Sequence, residues 1–492
     1  MLFEAVVTLF LIWFMWFVST TYNERKDMPP GPVPLPFIGN IHQLGFDPFL
    51  SLENLTLKYG DIFTLSLPGG PVVFINRAAA AEEGLLTRKD DLAGRLPHLL
   101  QPLDVILEAS DILCSDYGAS LMFRRKVFKS ALHIFGTGIG KVEGRVTNAV
   151  HNLVRKIEKT NGEPFSPKEY VASAMLIELW KWLSSKTCSF GHPTIRALLD
   201  FNKTTTFLIT VGYVAPFLKY LPTTYAKNLK KVMKIMNDVF VSELRSHRDT
   251  YVEGVVRDLT DSFLAAYKEE ETRENVKNIG SVEDIKGLMV DVIAAGSDTT
   301  STFIDWFILY MAVNQDVQDK LQSELDRVVG RDGFPRIEDA DHLHHVQSTM
   351  CEMMRITCFV PAVPHSAFRD TTVRGYKITK GTTVVFNTVS IHKDPERWGD
   401  PRSFRPARFL DADGKFTGWT TLPGFQPFSI GRRQCPGMPL AKIQAFTFIT
   451  TLLHNFHFEI PEGAPTPSLK YDFSDITVLR PADYQVVAVK RK

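Results

Sequence analysis

From about Glu283 to Gln315 the chain runs without a proline, and its stretch "LMVDVIAAGSDTTSTFIDWFILYMAV" is apolar on nearly every side. As one helix this run of about 33 residues would reach roughly 50 Å. Apolarity all round means burial through the middle of a core rather than a position on its surface. A membrane crossing fits badly. Asp291, Asp298 and Asp305 recur every seven residues and so are expected on one face, and unpaired acids are costly in lipid. The chain must therefore build a large, mainly helical body around this helix. With 492 residues, 44% of them hydrophobic, it has the material to do so.

The polar knot "AAGSDTT" interrupts the run at its centre. Gly296 weakens the helix relative to alanine and lets another group approach the backbone. Thr299 is placed to bond back to the carbonyl of Ala295 four residues earlier, which tends to bend a helix. Two readings stay open on these residues. One is a kink with capping-type side chains. The other is a widened turn whose acid and alcohol, Asp298 and Thr299, hold a small polar molecule and pass protons to it. Asp291 is read as structural, paired or capping a neighbouring helix, rather than as a substrate contact, because a buried acid needs a partner.

The chain begins differently. "LFEAVVTLFLIWFMWFVSTTY" carries only Glu4 as a charge, and Arg25 and Lys26 follow it. Its length suits a single bilayer crossing, and the flanking charges keep the C-terminal side cytoplasmic. A cleaved signal peptide fits less well, since no basic leading segment precedes the run. The expected organisation is a transmembrane anchor over 1–22, a basic and proline-rich hinge over 23–40, and one large domain over 41–492. The hinge, "MPPGPVPLPFIGN", reads as a stiff extended spacer or as a rigid entry turn. Two short strands are expected around Pro68-Gly69-Gly70-Pro71. Helical spacing runs from Ala78 to Gly330, broken at Pro97, Pro164, Pro216 and Pro222. Strand character returns in "VRGYKITKGTTVVFNT" and in the tail "DYQVVAVK". The fold class is mainly α, a large helical domain with small β-sheets.

With 56 basic and 55 acidic residues the net charge is +1, which argues against a nucleic-acid partner. Five cysteines, an odd number with no CxxC pair, fit a reducing compartment. One of them, Cys435, sits in "FSIGRRQCPG". Gly431 and Gly437 permit approaches that a Cβ would block. The helical stretch "PLAKIQAFTFITTLLHNF" begins just after the cysteine, so N–H groups and the helix dipole favour a thiolate there. Phe428 is placed to shield one side of the sulfur. A buried structural cysteine is the commoner fate of a lone thiol. A shielded thiolate with one bond to offer instead suits haem iron, and Arg433 could meet an anionic propionate.

"FSIGRRQCPG" resembles the cysteine-loop signature F-x-x-G-x-R-x-C-x-G of the cytochrome P-450 superfamily at every fixed position. "AGSDTT" resembles the oxygen-binding motif of that family's long central helix, Glu352 and Arg355 in "CEMMR" its E-x-x-R element, and "FRPARF" the segment completing it through Arg408. "YGDIF", "RDLTDSFL", "VPHSAFRD" and "FNTVSIHKDP" are similar to the animal microsomal branch that includes steroid 17-hydroxylases and xenobiotic hydroxylases. The resemblance spans essentially the whole chain. It implies the cytochrome P-450 fold, with the central helix over a haem b whose iron takes Cys435 as axial ligand. It implies proton delivery by Asp298 and Thr299, propionate contacts by Arg125, His365 and Arg433, and a charged triad of Glu352, Arg355 and Arg408 holding the cysteine loop. Phe428, Gly431 and Gly437 shape the cofactor loop.

The activity implied is a monooxygenase reaction. One atom of O2 enters an apolar substrate, with electrons from NADPH through a flavoprotein reductase and with cytochrome b5 as a further partner, at the endoplasmic reticulum membrane. The alternatives are an isomerase or dehydratase of the same superfamily, or a haem sensor or carrier without turnover. The intact acid–alcohol pair favours the monooxygenase. By family position the substrate pocket would draw on Leu103, Ile106, Phe207, Ala295, Val363 and Val478, which fit a steroid, a lipid or a xenobiotic equally. Arg124, Lys126, Lys129, Arg432 and Lys442 are expected to form a basic docking patch for the reductase. Two departures from the family stand out. Leu121 replaces the tryptophan expected four residues before Arg125, and Ala407 replaces the glutamate expected before Arg408.

Overall fold

The long apolar run folds as a buried helix with one irregular turn. The computed structural model describes residues 2–67, 69–95, 102–136, 139–214, 216–271, 279–362, 364–420, 422–472 and 475–491. Pro68, Pro97 and Val363 lie outside them. The helices used below are α1 (Leu2–Arg25), α2 (Ala119–Gly136), α3 (Ile139–Glu158), α4 (Pro167–Ser184), α5 (Pro193–Val214), α6 (Gly296–Val313), α7 (His344–Thr357) and α8 (Met438–Asn455). The strands are β1 (Ile62–Leu67), β2 (Gly70–Ile75), β3 (His365–Ser366), β4 (Thr371–Val373), β5 (Tyr376–Ile378), β6 (Thr383–Phe386), β7 (Phe456–Glu459) and β8 (Val487–Lys490).

Two compact units divide the chain. The smaller comprises Met1–Leu96, Ala362–Asp394 and Ile430–Arg433, and the larger comprises Pro97–Pro361, Pro395–Ser429 and Gln434–Lys492. In the smaller unit a four-stranded sheet runs in the order β1-β2-β6-β3, with β2 and β6 parallel and the other pairs antiparallel. Its apolar core includes Ile62, Val73, Ile75, Val384 and Phe386. The strands expected from β-branched alternation all form, and β4 pairs with β5 as a separate hairpin.

The proline-rich hinge is a rigid entry turn. Pro30 O accepts the Thr64 N–H at 2.7 Å, and the Asn40 N–H reaches Ser66 O at 2.7 Å. Asn40 Oδ1 in turn accepts the Ser66 N–H at 2.8 Å. Of the two readings of the hinge, these bonds describe the entry turn, as a segment laid along β1. Proline lacks a donor, yet its carbonyl still accepts, so this stretch covers the strand edge by taking up its N–H donors. Ahead of it, α1 is a single helix of 24 residues. Among the described residues, no helix is long and apolar enough to cross a membrane.

In the larger unit, Phe303, Ile304, Trp306, Ile308, Leu309 and Met311 of α6 are all but inaccessible to solvent. That helix packs against α4, α7 and α8, as its all-round apolarity requires. It continues a shorter α-helix, Ile285–Val290, through a π turn over Asp291–Ala295. A π turn accommodates one extra residue, so the helix before it is rotated relative to the helix after it. The expectation that three acids share one face is corrected accordingly. Asp291 turns to accept the Ile112 N–H at 2.7 Å, whereas Asp298 and Asp305 face the C-terminal segment. Asp291 thus holds a loop N–H rather than capping a neighbouring helix.

Candidate active site

The cysteine loop is built around one sulfur. In the larger unit the Cys435 N–H donates to Phe428 O at 2.9 Å, closing the loop, and Ser429 inside it adopts a left-handed φ of 56°. α8 starts at Met438 with a proline in its first turn, where the missing N–H is not needed. The Gly437 and Met438 N–H groups are directed at the sulfur, and a Cβ on Gly437 would lie 3.9 Å from it. All five cysteines are free. Cys435 alone is exposed, although it sits deep among protein atoms. Burial pushes its thiol up from the ordinary range, and those two N–H groups and Arg125 oppose that shift. Arg125 donates to Gln434 O at 2.7 Å, next to the cysteine.

Phe428 shares this neighbourhood with Trp419, whose ring centroid is 6.5 Å away. The Lys442 ammonium lies over both rings, 4.5 Å from Trp419 and 6.0 Å from Phe428. Lys442 is thus half-buried in an aromatic cradle, and Arg124 is buried and paired with Asp284 at 3.1 Å. Both are removed from the expected docking patch, because each spends its charge inside the fold. Lys126 and Lys129 remain exposed.

In the smaller unit Gly431 has φ +78°, and a Cβ there would stand 2.0 Å from Leu85 O, so only glycine fits. Arg433 is buried and donates from Nε to Ala93 O at 2.6 Å. His365, on β3, is buried with Nδ1 2.8 Å from Leu92 O. Burial and then the Arg95 charge hold its imidazole well below the usual histidine range, with Arg433 adding to the effect. The ring is therefore neutral, and the carbonyl fixes its proton on Nδ1. Two buried guanidiniums bearing on one ring are a donor set suited to a carboxylate. Arg95 was not legible as a site residue. Arg432, by contrast, is exposed and pairs with Asp90 at 2.7 Å.

Glu352, Arg355 and Arg408 of the larger unit meet in one ion cluster. Glu352 and Arg355 stand three apart on α7, the reach of one helical turn. Arg355 donates to both Glu352 oxygens at 2.7 and 2.8 Å, and Arg408 Nε reaches the same carboxylate at 3.3 Å. The Arg405 N–H adds a further bond at 2.8 Å. Arg355 also holds Pro401 O and Ser403 O, while Arg408 holds Trp398 O and Asp400 O. Glu352 and Arg355 are completely buried. Of the two departures from the family, Leu121 is packed into the apolar core, and Ala407 is exposed.

The acid–alcohol pair lies just past the π turn. Thr299 Oγ1 donates to Ala295 O at 2.7 Å, the back-bond expected from the sequence. Asp298 takes Arg480 Nη2 on both oxygens, at 2.7 and 2.6 Å. The other arm of Arg480 bonds Asp475. Burial raises the Asp298 carboxyl above its ordinary range, and Arg480 pulls it back. Two turns along, Asp305 accepts the Tyr484 hydroxyl at 2.7 Å, and burial pushes its carboxyl up to about 6. Asp298, Asp305, Arg480 and Tyr484 line one cavity of about 1300 Å³. Phe207 lines the same cavity, apart from the other pocket residues named from family position. Leu103, Ile106 and Val478 are buried, and Ala295 is exposed. Arg480, Asp475 and Tyr484 carried no local signal, because their partners are more than 170 residues away or set by the tertiary fold.

Comparison with known proteins agrees with this geometry. A sequence model of the family described as cytochrome P450 matches residues 29–488. Vitamin D(3) 25-hydroxylase of Sus scrofa is 32% identical over 500 residues, covering 99% of this chain and 98% of its own. Cytochrome P450 2D4 of Rattus norvegicus is 32% identical with the same coverage, and cytochrome P450 2D6 of Homo sapiens is 32% identical over 99% of each chain. A lone thiol under helix N–H groups, a buried E-x-x-R lock and an acid–alcohol pair beside a π turn thus occur in one mostly helical chain, and that chain belongs to the cytochrome P450 family of haem-thiolate monooxygenases.

Proposed function

We propose that the chain hydroxylates apolar small molecules of the steroid and xenobiotic kind, at the endoplasmic reticulum membrane, with electrons from an NADPH-dependent reductase. The observation carrying this reading is the combination of the Cys435 loop with Asp298 and Thr299 on the central helix. Haem, when bound, would supply the activation of O2, one atom of which enters the substrate while the other leaves as water. An isomerase, a dehydratase or a haem carrier has no comparable use for an acid–alcohol pair.

Cys435 is the proposed iron ligand, its charge shared by the Gly437 and Met438 N–H groups. Phe428, with Trp419 behind it, excludes water from one side of the loop. Arg125 is the proposed propionate partner in the larger unit. Arg433 and His365 are the corresponding proposals in the smaller unit. His365 would take a second proton on Nε2 to act as donor, which an adjacent carboxylate favours. Thr299 donates its own proton to Ala295 O, so its oxygen stays open to accept a hydrogen bond from a pocket water and hold it in place. Asp298 is the acid placed to supply that water with a proton.

The proposed substrate wall draws on Leu103, Ile106, Phe207, Ala295, Val363 and Val478, all by family position. A steroid-like substrate is favoured by the name of the porcine relative, vitamin D(3) 25-hydroxylase. The single-pass anchor is proposed from the apolar run of α1, along which Leu9, Leu11, Ile12, Met15 and Trp16 are exposed. Cytochrome b5 is proposed as an accessory donor. A panel of steroids, fatty acids and drug-like amines, scored by the high-spin shift of the haem-loaded protein and then by NADPH consumption with reductase, tests the reading. Binding confined to polar compounds, or binding with no rise in NADPH consumption, would contradict it.

A further inference from the structure

The C-terminal segment that follows Asp475 grips the central helix at three points. The Trp306 indole N–H donates to Leu479 O at 2.8 Å. The Tyr484 hydroxyl bonds Asp305 at 2.7 Å. Between these two contacts along the strap lies an ion pair, Arg480 Nη2 on both oxygens of Asp298. Leu479 is further fixed by its own N–H, which donates to Phe359 O at 2.8 Å. The residue before it is Val478, which the proposed function places against substrate.

Val478 is wired to Asp298 through one side chain. Asp475 Oδ1 accepts the N–H groups of Thr477 and Val478, at 2.8 and 3.2 Å, and the Thr477 hydroxyl at 2.7 Å. Asp475 Oδ2 takes Arg480 Nη1, and that nitrogen also donates to Val478 O at 3.3 Å. Both polar backbone groups of Val478 therefore end on the Asp475–Arg480 pair, and the remaining arm of Arg480 ends on Asp298. Bidentate guanidinium contacts are directional, so a displaced strap cannot keep all of them.

The link can also break without stranding a charge. Arg480 faces two carboxylates, and Asp475 retains it when Asp298 lets go. Asp475 belongs to the strap itself, whereas Asp298 belongs to the helix. The cavity of about 1300 Å³ beside them gives a displaced guanidinium somewhere to go. Once released, a recessed Asp298 would bind a proton more readily, since Arg480 is what opposes burial there.

We propose that residues 475–484 are a strap coupling Val478 to Asp298 through Arg480, so that occupancy at Val478 governs how firmly the proton-delivering acid is held. The proposal rests on the roles given above to Val478 and Asp298. Arg480 is then a positioning residue, and Asp475 sets its reach. Coupling between two sites is reciprocal. Whatever Val478 does to Asp298, a change at Asp298 must do to Val478.

Reciprocity makes the test independent of knowing the substrate. Amide hydrogen exchange at Thr477 and Val478 is compared in the haem-loaded full chain, wild type against Asp298→Asn. Coupling at the low end of what connects two sites predicts exchange about fivefold faster there, with α8 unchanged. Asp298→Glu, which keeps the charge, should retain most of the protection. If Asp298→Asn loosens α8 as well, Arg480→Lys replaces it and should give an intermediate rise confined to the strap. Exchange unchanged at both amides in either variant overturns the proposal. A second readout is the fraction of NADPH electrons recovered as hydrogen peroxide with reductase. Arg480→Gln should move its pH dependence upward, whereas a strap with only a structural role would lower turnover equally at every pH. Loss of the thiolate-type carbonyl spectrum would overturn the haem-thiolate reading, and it is measured separately from the exchange that decides the strap.

Discussion

Two charged triads of the larger unit use the same chemistry to opposite ends. In one, a single carboxylate, Glu352, holds two arginines, and the pair with Arg355 is completely sealed. In the other, a single guanidinium, Arg480, holds two acids beside a cavity of about 1300 Å³. The first has spare donors on both arginines, and backbone carbonyls from Trp398 to Ser403 take them up. Nothing in it can move without uncovering a buried charge. The second leaves one cation shared between an acid of the helix and an acid of the strap, with room alongside. Satisfied and sealed, such a network is a lock. Shared and open on one side, it is a device with two positions.

The largest effect should come from breaking the lock. Glu352→Gln leaves Arg355 buried without its carboxylate and should cost about 3–5 kcal/mol. Haem content and the denaturant midpoint would read this, and a near-normal midpoint would contradict the description of a lock.

Asp305→Asn should act in the other direction. The folded protein holds the Asp305 proton up to about 6, against an ordinary 3.8. The folded state is therefore penalised as pH climbs through that window, by roughly 3 kcal/mol for about two pH units. Asparagine keeps an acceptor for Tyr484 and removes the penalty. The variant should melt higher than wild type at pH 8, and the gain should shrink as pH is lowered toward 5. A gain independent of pH would refute the assignment.

Arg480→Gln should cost less than opening the lock, about 1.5–3 kcal/mol for hydrogen bonds to charged groups. Its sign with pH distinguishes the two triads. Without the guanidinium the Asp298 carboxyl rises further, so the variant loses stability as pH increases, which thermal melts across pH would reveal. Smallest of all, Ala407→Glu restores the acid that the family carries beside Arg408. At an exposed position it should change stability by about 0–1 kcal/mol, and a larger gain would mean that the lock is incomplete in this chain.

Legibility in the sequence followed how local each feature is. The helix start just after Cys435, the Glu352–Arg355 contact and the Thr299 back-bond are written within one or two helical turns, and all three form. The strands announced by alternating β-branched residues also form. Two expectations failed where tertiary context decided the outcome. Arg124 and Lys442 look like surface charge until Asp284 and Trp419 claim them. The heptad of acids looks like one face until the π turn rotates Asp291 away. Arg480 left no trace, because 182 residues separate it from Asp298.

Cys435 as the single protein ligand of a haem iron is the claim on which the other roles depend. Its most direct test is the spectrum of the reduced, carbon monoxide-bound protein, wild type against Cys435→Ser, each loaded with haem. Wild type should show the long-wavelength Soret band of thiolate ligation, and the serine variant should lack it while remaining folded. The same band in Cys435→Ser would contradict the account at its centre.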